Sequence, residues 1–260
     1  MRSPQPDVSA VPGDITDDAV LGGRLKLLQP AQGHRAGHDA ILLAAAAPAS
    51  KHAVDLGAGI GTAGLALLTR LTAERLTLVE IDSGLAAIAF ANAERNGFSN
   101  RVKIVAADVG KLARRGGPVE PSAASADLVL INPPFNDPSH RRTSPQPQRR
   151  RAHTAKDSDL DVWVSAADRL LSGNGKLVLI HRPDAIETIL ATIKGRFGAA
   201  QLIPIFPRPD AAAIRIILRA IKGRRTLPEI RAGLVLSDAT GKPSSAANAI
   251  LRDVAALDPA

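Results

Sequence analysis

Hydrophobic and polar positions alternate between two rhythms along this chain. Short runs of Val, Ile and Leu predict strands at 75–81 (RLTLVEI), 102–106, 126–131, 175–181 and 201–206, with a longer β-rich run at 213–221 and a short one at 234–237. Between them, Ala- and Leu-rich stretches with helical spacing predict helices at 39–47, from Ala63 onward, at 85–96, 161–171 and 184–193, and a terminal one at 246–254. Strand and helix in turn define an α/β class, with a mostly parallel sheet and helices on both faces. Near the start, AVLGGRLKLL (19–28) predicts two short strands about Gly22 and Gly23, a hairpin. The expected organisation is a flexible N-terminus at 1–17, a hairpin and helix extension at 18–50, and the main domain at 51–260.

The stretch AVDLGAGIGTAGL (53–65) joins the first strand of that domain to its helix through Gly57, Gly59 and Gly61. Glycines suit a turn where backbone must take positive φ or let a ligand lie directly on it, and the helix start offers unpaired N–H groups. The spacing is neither G-x-G-x-x-G, since Thr62 stands at the third position, nor a P-loop, since no lysine occurs between Lys51 and Lys103. It reads D-x-G-x-G-x-G from Asp55, and it resembles motif I of class I S-adenosylmethionine-dependent methyltransferases. That resemblance implies a Rossmann-like seven-stranded sheet, with S-adenosylmethionine held by Asp55 and the three glycines. Glu80 closes the next strand, 23 residues after Gly57, where a carboxylate can accept hydrogen bonds from ribose hydroxyls. Asp82 is a second candidate for that work or a helix cap. Asp108, after the third strand, is placed near the adenine by the same resemblance, with a helix cap as its other role.

The fourth strand, ADLVLI, runs into Asn132, Pro133, Pro134 and Phe135. Two prolines fix the backbone and remove two N–H donors, so carbonyls and the Asn132 amide oxygen remain as acceptors. Acceptors on the N–H groups of a planar amine help its nitrogen pyramidalise toward a methyl sulfonium, and Phe135 can stack on the ring. The tetrapeptide resembles the [DNS]-P-P-[YFW] motif of amino-methyltransferases.

Composition narrows the partners. The 260 residues include 33 Lys and Arg against 25 Asp and Glu, a formal charge of +8, which suits a polyanion. There is no cysteine, hence no disulfide framework and no thiolate metal site; no metal is expected. Neither a targeting pattern nor a membrane-length apolar run is seen, so a cytoplasmic location is expected. Between Asp137 and Lys156 stand five arginines, Arg149, Arg150 and Arg151 consecutively, and they are candidates for contact with RNA phosphates. Lys222, Arg224 and Arg225 form a smaller basic patch, and Arg35 and Asp39 either line the pocket or serve as surface charge and cap.

Taken in order, QPAQGHRAGHDAILLA, VDLGAGIG, LVEID, INPPF, the arginine-rich stretch and GKLVLIHRPD resemble bacterial tRNA adenine-N6 methyltransferases of the valine-tRNA type, over about 18–253. The resemblance implies methyl transfer to an exocyclic base amine, adenine N6 in tRNA. The prefix Gly33 to Asp39 lacks the two phenylalanines that the family commonly carries there, and only six aromatic residues are available for stacking on RNA. Methylation of a protein glutamine or of a small molecule, O-methylation included, and a non-catalytic RNA-binding module stand as the alternatives.

Overall fold

The computed structural model describes residues 14–32, 37–114, 120–134 and 158–257. Its first element is the expected hairpin: β1 (Ile15–Val20) and β2 (Leu25–Pro30) pair antiparallel across a 3-10 turn at Leu21–Gly23. The hairpin opens at Ile15, so 15–17 belong to a strand and not to a loose terminus. Leu25 and Leu27 are fully buried while Lys26 is exposed, the alternation of a strand with one covered face.

Seven longer strands form the main sheet. These are β3 (Ser50–Leu56), β4 (Ala73–Glu80), β5 (Val102–Ala106), β6 (Ala126–Ile131), β7 (Leu171–His181), β8 (Phe197–Phe206) and β9 (Arg215–Lys222), side by side in the order β5-β4-β3-β6-β7-β9-β8. All pairs are parallel except those of β9, which runs against both β7 and β8. Seven strands were expected; among the described residues the sheet has nine. Two-residue strands β10 (Glu229–Ile230) and β11 (Leu234–Val235) add in parallel along β8. Both residues of β10 are exposed, so no burial pattern marked them in the sequence.

Helices cover both faces. On one side α1 (His38–Ala46), α2 (Thr62–Thr69), α3 (Ser83–Arg95) and the terminal α7 (Ser245–Arg252) pack with Leu128, Leu130, Val178, Ile180 and Ile217. On the other, α4 (Val109–Leu112), α5 (Ser158–Leu170) and α6 (Ile186–Ile193) pack with Val129, Ile131, Leu177, Leu179 and Leu218. Successive residues of β6 and β7 thus enter different cores, which is why these strands read as unbroken apolar runs. Each such side chain contributes roughly 1.5–3 kcal/mol on burial, so a polar residue on either face would be strongly disfavoured. Among the described residues no helix is long and apolar enough to cross a membrane.

The hairpin is fastened to α3 by side-chain amides. Asn92 accepts from the Leu28 N–H at 2.7 Å and donates to the Leu28 carbonyl at 3.0 Å. Asn96 does the same for Lys26, accepting at 3.0 Å and donating at 2.6 Å. Asn92 is completely buried and also donates to the carbonyl of Ile60 at 3.1 Å, so one side chain ties the hairpin to the glycine turn.

Candidate active site

The carboxyl ends of four strands form one row. Leu56 of β3 pairs with Val79 of β4 and with Ile131 of β6, and Glu80 pairs with Ala106 of β5. The next residues in register, Asn132, Gly57, Glu80 and Ala106, therefore stand level across the sheet edge at about 4.8 Å per strand. Asp108 lies two residues beyond Ala106. Four of the sequence-selected positions, Asn132, Gly57, Glu80 and Asp108, meet at this edge with the turn between β3 and α2.

That turn is held open by backbone conformations suited to glycine. Gly57, Gly59 and Gly61 have φ of 68°, 56° and 87°. A β-carbon on Gly59 would meet nothing within 4 Å, so the turn leaves open space over its backbone. At Gly57 a β-carbon would fall 2.6 Å from Cη2 of Trp163 on α5, and the ring backs the turn there. Gly64, which the sequence reading passed over, lets α2 close on β4: a β-carbon there would stand 2.6 Å from Leu78 Cδ2.

Two buried acids brace the turn from below. Asp55 accepts the Gly64 N–H at 2.9 Å, inside the first turns of α2. Loss of solvent pushes its pKa up to about 7, the Gly64 hydrogen bond opposing and the charge of Glu80 adding to the rise. Glu80 accepts the Gly59 N–H through Oε2 and the Asp82 N–H through Oε1, both at 2.8 Å. Its pKa is also raised, chiefly by burial, with the N–H groups of Asp82 and Gly59 pulling the other way. Asp82 is a helix cap, accepting from Gly84 and Leu85 at the start of α3. Asp108 caps α4 by accepting from Gly110 at 2.8 Å.

Asn132 and Pro134 are half-buried and Pro133 is buried. Phe135, Arg149, Arg150, Arg151 and Arg35 lie outside the described residues. Asp39 in the first turn of α1 forms an ion pair with Arg215 of β9 at 2.8 Å. The smaller basic patch is remote from the site. Lys222 pairs with Phe197, at the amino end of β8, and its Nζ donates to the Leu171 carbonyl at 2.9 Å. The sole tryptophan, Trp163, gave only a helix to the sequence reading, and nothing local marked its place against Gly57.

Open glycine backbone at a helix start, with the buried Glu80 carboxylate one strand away, fits an adenosyl sulfonium cofactor. The sheet order with β9 antiparallel and this turn define a class I S-adenosylmethionine-dependent methyltransferase. Residues 36–203 match the family model described as methyltransferase small domain, and the chain belongs to that family. A protein of Porphyromonas gingivalis ATCC 33277 named tRNA1(Val) (adenine(37)-N6)-methyltransferase is 30% identical over 216 residues, covering 78% of this chain and 73% of that one. One of the same name from Flavobacterium psychrophilum is 31% identical over 174 residues, 66% of this chain and 69% of the relative. Among solved structures, a predicted O-methyltransferase from Agrobacterium tumefaciens superposes with a TM-score of 0.67 at 28% identity, over 82% of this chain and 94% of that one. Pyrococcus horikoshii TYW2, solved with MeSAdo, shares the fold at a TM-score of 0.54 and 14% identity, over 81% and 72%.

Proposed function

We propose that the chain methylates N6 of an adenosine in tRNA. The observation that carries this reading is the placement of Asn132-Pro133-Pro134 level with Gly57, so that amine acceptors and cofactor turn share one sheet edge. The names of the Porphyromonas gingivalis and Flavobacterium psychrophilum relatives, methyltransferases of adenine 37 in tRNA1(Val), support that nucleotide. The net charge of +8 suits an RNA substrate, and a tRNA substrate suits the cytoplasm.

S-adenosylmethionine, when bound, would supply an electrophilic methyl, with S-adenosylhomocysteine as the leaving group and a proton lost from the amine. The chain's contribution is to align and to accept hydrogen bonds. Glu80 would receive ribose hydroxyls while keeping Gly59 in place, and the glycine turn, braced by Asp55, would hold the amino-acid end. Asp108 borders the adenine. Asn132 and the carbonyls beside Pro133 and Pro134 take hydrogen bonds from the target amine, with Phe135 against the base. Arg149, Arg150 and Arg151 neutralise RNA phosphates. No covalent intermediate and no general base is needed, because the alkylated exocyclic amine loses its proton readily.

The test is transfer of labelled methyl into total cellular extract, followed by nuclease, protease and nucleoside analysis. Label in N6-methyladenosine from tRNA is expected. Label released only by protease, or found in small molecules, would overturn the reading.

A further inference from the structure

At the same sheet edge, one strand beyond Asn132, lies a shallow, open cleft of about 390 Å³ lined by Arg182, Pro183, Asp184, Ala213, Ile214 and Arg215. Ile131 pairs with Leu179, so Asn132 stands level with Ile180, and Arg182 follows two residues on. From strand spacing and rise, the Cα atoms of Asn132 and Arg182 are roughly 8 Å apart. His181 pairs with Ile216, which puts Arg215 across from Arg182 on the neighbouring strand. The cleft is thus flanked by two guanidinium groups from adjacent strands.

Both guanidinium groups are oriented by carboxylates. Arg182 donates from Nε to Asp184 Oδ1 at 3.1 Å and from Nη2 to Oδ2, a bidentate pair. Arg215 donates from Nε to Asp39 Oδ2 at 2.8 Å and from Nη1 to the Ile214 carbonyl at 2.8 Å. With each cation facing a carboxylate, the cleft carries little net charge, which disfavours a phosphate. Its flat guanidinium planes and its apolar lining remain. Ile214 is 41% exposed and presents apolar carbon to the cleft, beside Pro183 and Ala213.

Planar cations and exposed apolar carbons are surfaces on which unpaired bases stack. We infer that this cleft receives an unpaired nucleotide next to the methylated adenosine, its base stacked on the Arg182 guanidinium with Ile214 and Pro183 completing the seat. The inference rests on the tRNA reading. It also gives a chain with few aromatic residues a means to hold a splayed loop: arginine planes, locked by Asp184 and Asp39, stand in for aromatic rings.

The experiment compares the wild type with Arg182→Lys, which keeps the charge and loses the plane. Substrates are an unmodified tRNA1(Val) transcript and ligated versions with an abasic nucleotide on either side of the target adenosine. For Arg182→Lys, KM for the intact transcript should rise about tenfold, the worth of one stacked base. Its kcat at saturating RNA, its affinity for S-adenosylmethionine and the salt dependence of kcat/KM should stay close to the wild type. One of the abasic substrates should impose the same loss on the wild type and no further loss on the variant. Two results would overturn the stacking assignment: a KM unchanged by the lysine, or an abasic penalty that adds in full to it. Failure of the wild type to methylate any tRNA would remove the tRNA reading itself, and this seat with it.

Discussion

The ring of Trp163 occupies the volume that a β-carbon on Gly57 would need, with Cη2 2.6 Å and Cζ3 2.8 Å from its ideal position. Contact and conformation act together here, because Gly57 also has a φ of 68°. Gly57→Ala must displace the ring and place an alanine in the left-handed region, which alone costs about 1–2 kcal/mol. Thermal unfolding should show a loss larger than that. Trp163→Ala in the same chain should recover only the steric part, and full recovery would mean that the φ at Gly57 relaxes.

At Gly59 the same substitution separates binding from folding. The added carbon meets no protein atom within 4 Å, so stability should fall by only about 1–2 kcal/mol from the φ of 56°. Affinity for S-adenosylmethionine, measured by calorimetry, should fall far more than Gly59→Ala costs in unfolding. Unchanged affinity would place the cofactor away from this turn.

Glu80 serves the turn and the cofactor at once. Glu80→Gln keeps the shape but can no longer accept at both Gly59 and Asp82, since one of its oxygens becomes an NH₂ group. Charge-assisted hydrogen bonds contribute about 1.5–3 kcal/mol each, so affinity for S-adenosylmethionine should drop roughly a hundredfold. A drop of equal size for free methionine, which has no ribose, would argue against a ribose contact.

Asp55 makes stability depend on pH. Its native pKa is raised to about 7, whereas an unfolded aspartate titrates near 3.9, so between these values the native state binds more protons than the unfolded state. Stability therefore decreases as pH rises from about 4 to about 7 and levels off above. Asp55→Asn can still accept from Gly64 and lacks the buried charge, so its melting temperature should gain on the wild type at pH 8 and match it more closely at pH 5. Cofactor affinity should move oppositely: in the wild type it strengthens as Asp55 ionises beneath the cationic amino-acid end, and in the variant that strengthening is reduced to what Glu80 contributes.

Asn132→Ala should leave affinity for S-adenosylmethionine nearly intact while single-turnover methyl transfer falls on the order of a hundredfold or more. Equal losses in both would show that Asn132 supports the cofactor turn and not the amine.

Strands buried on both faces were legible because apolar runs such as ADLVLI leave few other folds open, and glycine spacing with an acid at 55 located the turn. What the chain order hid was contact across it. Trp163 lies 106 residues from Gly57, Arg215 lies 176 from Asp39, and Asn92 carried no local sign that it would bond Leu28 and Ile60. At position 55 an acid was expected to hold the amino-acid end of the cofactor; what the structure shows is a buried carboxylate accepting from the Gly64 N–H, a contact nine residues on that no spacing announced. Strand β10 was missed because two exposed residues paired along an edge follow no periodicity.

The paired asparagines of α3 act as a gauge for the hairpin. Residues 92 and 96 are spaced four along a helix, about 6.0 Å, and residues 26 and 28 two along a strand, about 6.6 Å, so two amides can address two outward-facing peptide groups in succession. A helix thereby stands where a third strand would, and the outer edge of β2 is closed to any strand from another molecule. A slip of one residue would turn Leu25 and Leu27 to solvent and leave both amides facing groups already spent on β1, so the helix holds the hairpin to one alignment.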